Sequence, residues 1–159
     1  MEKSNFVDLE YSKMDKAEII SYLSKLLNSY QVHVHNLRYF SWNVIGQDHF
    51  ELSQRFTGSL RSAQKHMDQI AIRISLLKDG ISDNWNTILA TSEIKEAASN
   101  LTGFVMVKVL VEQLLILLSI QSDCVRKAND LGDYGTELMT KRLISELEQQ
   151  YEAYRSWLK

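Results

Sequence analysis

The groups this chain offers for chemistry are mostly imidazoles and carboxylates, the side chains that bind metals and move protons. Its four histidines are His33, His35, His49 and His66. His33 and His35 are two apart, about 200° around a helix, so they face different ways and cannot hold one ion from a single chain. His66 stands two before Asp68 and faces away from it for the same reason. Asp133 and Glu137 are four apart at the start of a helical pattern, where acids complement the helix dipole. Glu146, Glu148 and Glu152 read as a solvated face. Cys124 is the single cysteine. It cannot close an internal disulfide and is read as a small apolar packing residue. No dinucleotide or phosphate loop, nucleophile elbow or Cys/His zinc cluster is present, so nucleotide-dependent and nucleophilic catalysis have no support.

The elements that must position these groups are helices. The chain has no proline and only six glycines, which favours long uninterrupted helices. Residues 1–14 show no sustained period and read as an arm, leaving 15–159 as one domain. Asp15, with Glu18 three residues on, has the pattern of a capping box. Ile19, Leu23, Leu26, Leu27, Tyr30, Val34, Leu37 and Phe40 then recur at helical spacing, and Gly46 closes that helix. Asp48 can cap a second helix, whose stripe runs Phe50, Leu52, Phe56, Leu60, Ala63, Met67, Ile70, Ala71, Ile74 and Leu77. Two long helices joined by a short turn imply antiparallel neighbours.

Residues 80–101 break the period. Trp85, Ile88 and Leu89 suit a short helix across the bundle, and Ser92 to Glu96 another helical turn. A third long helix follows from about Thr102 to Leu131, apolar on more than one face between Val105 and Ile120. Gly132 ends it, Asp133 or Thr136 caps the fourth, and Leu138, Met139, Leu143, Ile144, Leu147, Tyr151, Tyr154 and Leu158 carry that helix to the terminus. The expected fold class is all-α.

One stretch says more. Asn36-Leu37-Arg38-Tyr39-Phe40-Ser41-Trp42-Asn43-Val44-Ile45-Gly46 leads into Leu52-Ser53-Gln54-Arg55-Phe56 and then Asp68-Gln69-Ile70-Ala71-Ile72-Arg73. It resembles the signature of the Dps miniferritins, cage-forming members of the ferritin superfamily: N-L-x-x-F-H-W-N-x-x-G, then L-H-x-x-F, then D-x-x-A-E-R. The spacing fits without a gap, with 12 residues from Ser41 to Ser53, 15 to Asp68 and four to Ile72. The resemblance extends through the crossover to Trp157-Leu158. It implies a ferritin-like four-helix bundle with a long crossover, carrying a short extra helix, between the second and third helices.

The resemblance also implies a function and a site. Dps shells bind and store iron and protect against iron and peroxide stress. Their ferroxidase site lies between subunits, with two His from one chain and the Asp and Glu from its partner. Here the His positions hold Ser41 and Ser53 and the Glu position Ile72, so Asp68 is the single retained ligand. A serine hydroxyl is a poor Fe(II) ligand and isoleucine none. The expectation is weak or absent iron binding there and weak or lost oxidation, so enzyme activity stays open. The alternative is a non-catalytic shell or interaction protein, or a subunit co-assembling with an active homologue. His49, four before Ser53 on the same helix face, is the candidate for a displaced ligand. Trp42 is the near-site aromatic of the family, and Asp133 and Glu137 match acids that line three-fold pores.

The resemblance implies a homo-oligomer, a dodecamer built from two-fold dimers. Net charge is −2 and neither end is a lysine-rich arm, so DNA binding is not expected. The chain shows no signal peptide and no uncharged apolar run of membrane-spanning length, so no membrane association and a cytoplasmic location are expected.

Overall fold

The computed structural model describes residues 13–77 and 79–159. Four long helices, α1 (Lys13–Asn43), α2 (His49–Leu76), α4 (Gly103–Leu131) and α5 (Tyr134–Trp157), form the bundle. The short α3 (Trp85–Thr91) sits in the crossover between α2 and α4. α1 packs against α2 and α4, α4 against α5, and α3 against α1. The fold is the ferritin-like four-helix bundle with its long crossover. Of the arm expected over 1–14, residues 1–12 lie outside the described residues. Residues 13 and 14 belong to α1, so Asp15 lies inside its first turn and is not the cap.

The stripe read on the first helix is the core. Ile19, Leu23, Leu26, Tyr30, Leu37 and Phe40 are all 0% exposed. On α2 the buried line is Leu52, Phe56, Ser59, Ala63, His66, Ile70 and Ile74. Phe50 is not part of it and stands 80% exposed. The core face therefore runs through His66 where the expected stripe had Met67.

Signature letters explain the joints. Gly46 takes φ +101° in the α1–α2 turn, a conformation that glycine adopts without strain. Asp48 sits at the α2 N-cap but makes no side-chain capping bond. Asn36 clamps the crossover: its Nδ2 donates to the Lys95 carbonyl and its Oδ1 accepts from Ala97 N–H, both at 2.9 Å. Ser29 accepts from Glu93 N–H at 3.0 Å. These bonds hold residues 92–97 in an open loop, so the helical turn expected from Ser92 does not form.

α4 is long and apolar enough to cross a membrane, by length and composition, although Lys108 and Glu112 interrupt its apolar run. In the bundle it is a core helix, with Val107, Leu110, Leu114 and Leu117 at 0–1% exposure. Gly132 ends it in the left-handed conformation, and Asp133 caps α5 by accepting from Thr136 N–H at 3.0 Å. The structure thus selects Asp133 over Thr136.

Candidate functional site

The last turn of α1 and the first turns of α2 bring Ser41, Ser53 and His49 to one end of the bundle. Ser41 Oγ donates to the Arg38 carbonyl at 2.8 Å, and Ser53 Oγ donates to the Ser41 carbonyl at 3.3 Å. Both hydroxyls are thus spent on α1 backbone. His49 Nδ1 donates to the Val44 carbonyl at 2.6 Å. A carbonyl can only accept, so Nδ1 carries a proton and Nε2 is the one ring nitrogen left to meet an ion. This end of one chain therefore offers a single imidazole nitrogen and neutral oxygens, a weak set for Fe(II).

Asp68 and Ile72 are elsewhere. Asp68 lies 15 residues beyond Ser53 on the same helix, about 22 Å along its axis. Within one chain the two halves stay apart, so only a second subunit could bring them together. Both residues face outward, with Ile72 at 60% exposure. Among the described residues, no three His, Cys, Asp or Glu side chains gather within one chain to hold a metal. Trp42 is 75% exposed, and Ile45, Phe50 and Leu76 are also open. These are large apolar groups left to water at the α1–α2 turn and along the outer face of α2.

The paired acids at the start of α5 have different settings. Asp133 is fully buried. Arg73 Nη2 donates to its Oδ1 at 2.6 Å, and Arg73 Nε donates to Thr136 Oγ1 at 2.9 Å. Glu137 is partly exposed and paired with Lys141, whose bond holds its carboxyl below the usual range. Asp133 is closed off in the core, and Glu137 is taken up by Lys141 and Asn129. Arg73 and Ile72 are neighbours about 100° apart on the helix. The signature's Arg faces inward as scaffold, while the Glu position next to it faces out.

A second group of polar residues, not assembled from the sequence, lies in the core. Tyr30, His33, His66, Gln113 and Gln121 are 0–5% exposed. Gln121 Nε2 donates to Tyr30 Oη at 2.8 Å, and Tyr30 Oη lies 2.9 Å from His66 Nδ1. His66 Nε2 lies 2.8 Å from Glu146 Oε2. Glu146, read as part of a solvated face, is half exposed and reaches back over α5 to this ring. The available signal was position: His66 falls three after Ala63 and four before Ile70 on the α2 core line. Cys124 is buried as expected, with burial pushing its thiol up to about 11.

His33 Nδ1 donates to Gln113 Oε1 at 2.7 Å. Burial pushes the His33 imidazole down to about 4; the Gln113 bond opposes this and His66 adds to it. A folded value below the unfolded one, about 6.5, gives stability that is full above pH 6.5 and lost as pH falls toward 4. This ring should therefore remove about 1.5 kcal/mol between pH 6.5 and 5. Thermal unfolding of the native protein and His33→Gln across that range checks it, because the variant should lose this part of the pH dependence.

No family model matches the chain. It is 28% identical to a Haemophilus influenzae protein over 137 residues, 86% of each chain. It is 26% identical over 141 residues to DNA protection during starvation protein 2 of Bacillus anthracis, covering 89% of this chain and 97% of that one. Among solved structures, the Dps protein of Vibrio cholerae O1 is matched over 100% of both chains, with TM-score 0.92 and 28% identity. That protein is described as a member of a broad superfamily of ferritin-like diiron-carboxylate proteins. The Dps protein of Staphylococcus aureus shares the fold, with TM-score 0.87 at 22% identity over 90% of this chain and 96% of that one. The likeness to the Dps miniferritins carried by residues 36–73 thus extends to the whole bundle.

Proposed function

We propose that this chain builds a Dps-like shell that serves in iron handling and stress protection, with its own ferroxidase activity weak or lost. The observation that carries the second half is the state of the ligand positions. Ser41 and Ser53 turn their hydroxyls onto α1 carbonyls, and Ile72 presents an alkyl group beside Asp68. Iron, as cargo, would meet one carboxylate from each chain at a two-fold contact. The names and descriptions of the relatives support the family role, and a cytoplasmic location goes with it.

The shell reading rests on exposed apolar surface. Monomeric proteins seldom leave to water a surface that carries Trp42, Ile45 and Phe50 at the α1–α2 turn and Ile72 and Leu76 toward the other end of α2. A second copy covering it would also bring the Ser41/Ser53 end toward Asp68, as the two-fold contact of the family implies. Light scattering at micromolar concentration and neutral pH should give an oligomeric mass, with a dodecamer as the expected closed form. Trp42→Asp should shift the protein to smaller species. A monomeric native mass would contradict the proposal.

A co-assembled shell is the second reading, and the retained Asp68 favours it. Against an active homologue, Asp68 would add a carboxylate to that chain's two histidines. Mass spectrometry of the shell isolated from its source should then show two kinds of subunit, whereas a single kind would exclude it. With net charge −2, strong duplex DNA binding is not expected at physiological salt. A gel shift at low-micromolar protein checks this, and a retarded band would point to a basic patch formed on assembly.

A further inference from the structure

The core network has a direction. Glu146 carboxylate can only accept, so His66 Nε2 carries the proton in that bond. The Tyr30 oxygen already accepts a bond, so its hydroxyl proton is left to be donated to His66 Nδ1. Gln121 Nε2 donates to the phenolic oxygen from the other side. This orientation leaves the buried Gln121 Oε1 without a partner among the described residues, a cost the fold accepts. Each long helix supplies one member: Tyr30 from α1, His66 from α2, Gln121 from α4 and Glu146 from α5. The line runs from a phenol that is 0% exposed to a carboxylate that is 58% exposed. It is a hydrogen-bonded path from the centre of the bundle to water.

We propose that Tyr30 is a redox-active tyrosine that gives one electron to a high-potential oxidant of the radical or high-valent metal class, while its proton passes to His66. The Tyr30 O–H bond breaks and an N–H bond forms at His66 Nδ1. The oxidant gains the electron. The products are a neutral phenoxyl radical and an imidazolium held against the Glu146 carboxylate. A one-electron reductant reverses the step, with the proton returning from His66. Burial holds the Tyr30 phenol far above its usual range, so the group that loses the electron is the protonated phenol. Without a base in contact, oxidation would leave a positive charge in an apolar core. His66 is that base. An electron can leave over a distance, whereas a proton needs this contact. The step uses none of the ligand positions at the bundle end, so it stands or falls apart from the iron reading.

The full-length protein, oxidised by photogenerated ruthenium(III) tris-bipyridyl at neutral pH and frozen, can be examined by electron paramagnetic resonance. The expected result is a long-lived tyrosyl signal that Tyr30→Phe abolishes. The other tyrosines and the tryptophans provide the background, the exposed Tyr134 and Trp42 foremost. His66→Gln can still accept the phenol's hydrogen bond but cannot take its proton. It should lower the radical yield about tenfold or more, because a positioned base contributes on the order of 10²-fold. A native yield in His66→Gln, or a full signal in Tyr30→Phe, would overturn the proposal. Glu146→Gln lies at the exposed end, spares the core, and should shorten the radical's life by exposing an unpaired imidazolium. If the core variants fail to fold, an unchanged lifetime in Glu146→Gln overturns the proposal by itself.

Discussion

Replacing Arg73 by methionine should destabilise the protein by about 3–5 kcal/mol, the cost of stripping one partner from a buried ion pair. Asp133 is 0% exposed, and its Oδ2 has no hydrogen-bond partner among the described residues. Among the described residues, Arg73 supplies the only counter-charge for it, and it also binds Thr136. Methionine keeps the bulk and removes both bonds, leaving a carboxylate in the core. For a chain of this size the melting temperature should fall by roughly 10 °C. Asp133→Asn in the same background should recover part of the loss, because asparagine still caps α5 without a charge. Gly135→Ala should act in the same direction, since its new Cβ would stand 2.8–2.9 Å from the Arg73 guanidinium. Thermal unfolding of the single and double variants gives the coupling directly. An Arg73→Met protein melting like the native one would mean that the pair contributes nothing.

Restoring Ser41→His, Ser53→His and Ile72→Glu together should raise Fe(II) oxidation by peroxide on the order of 10²-fold over the native protein, the scale on which metal sites respond to changes in their surroundings. Two imidazoles and two carboxylates match the intermediate softness of iron and neutralise its charge. Each single change should do little, since one added ligand leaves the set incomplete. The serine replacements also break the bonds to the Arg38 and Ser41 carbonyls, at about 1 kcal/mol each. Ile72→Glu is mild in one chain, where the residue is exposed, and costly at a two-fold contact, where it adds an acid beside Asp68. Bound iron should recover part of that loss by favouring the assembled state. Oxidation assays and melting with and without Fe(II) measure both effects.

The sequence could be read furthest where one helix face decides the outcome. The α1 stripe from Ile19 to Phe40 is core because a spacing of three and four leaves those side chains no other side to face. Contacts between distant residues were less legible. Arg73 and Asp133 are 60 apart, and only the bundle brings them together. His66 and Glu146 are 80 apart. His66 was placed by its angle to Asp68, when its angle to Ala63 and Ile70 puts it in the core. Ser92 to Glu96 has a helical composition, but Asn36 and Ser29 capture its backbone first. The ligand positions were legible as residue types. Their inward hydroxyl bonds, and the 75% exposure of Trp42, were not.

The central claim is that the native protein does not oxidise iron quickly at the proposed two-fold contact. Stopped-flow absorbance of the assembled protein with Fe(II) and peroxide tests it most directly, with Asp68→Asn and His49→Ala alongside. The account predicts that all three follow the buffer blank. Rapid, saturable oxidation by the native protein that Asp68→Asn or His49→Ala abolishes would contradict it and place a working iron site where Ser41, Ser53 and Ile72 now stand.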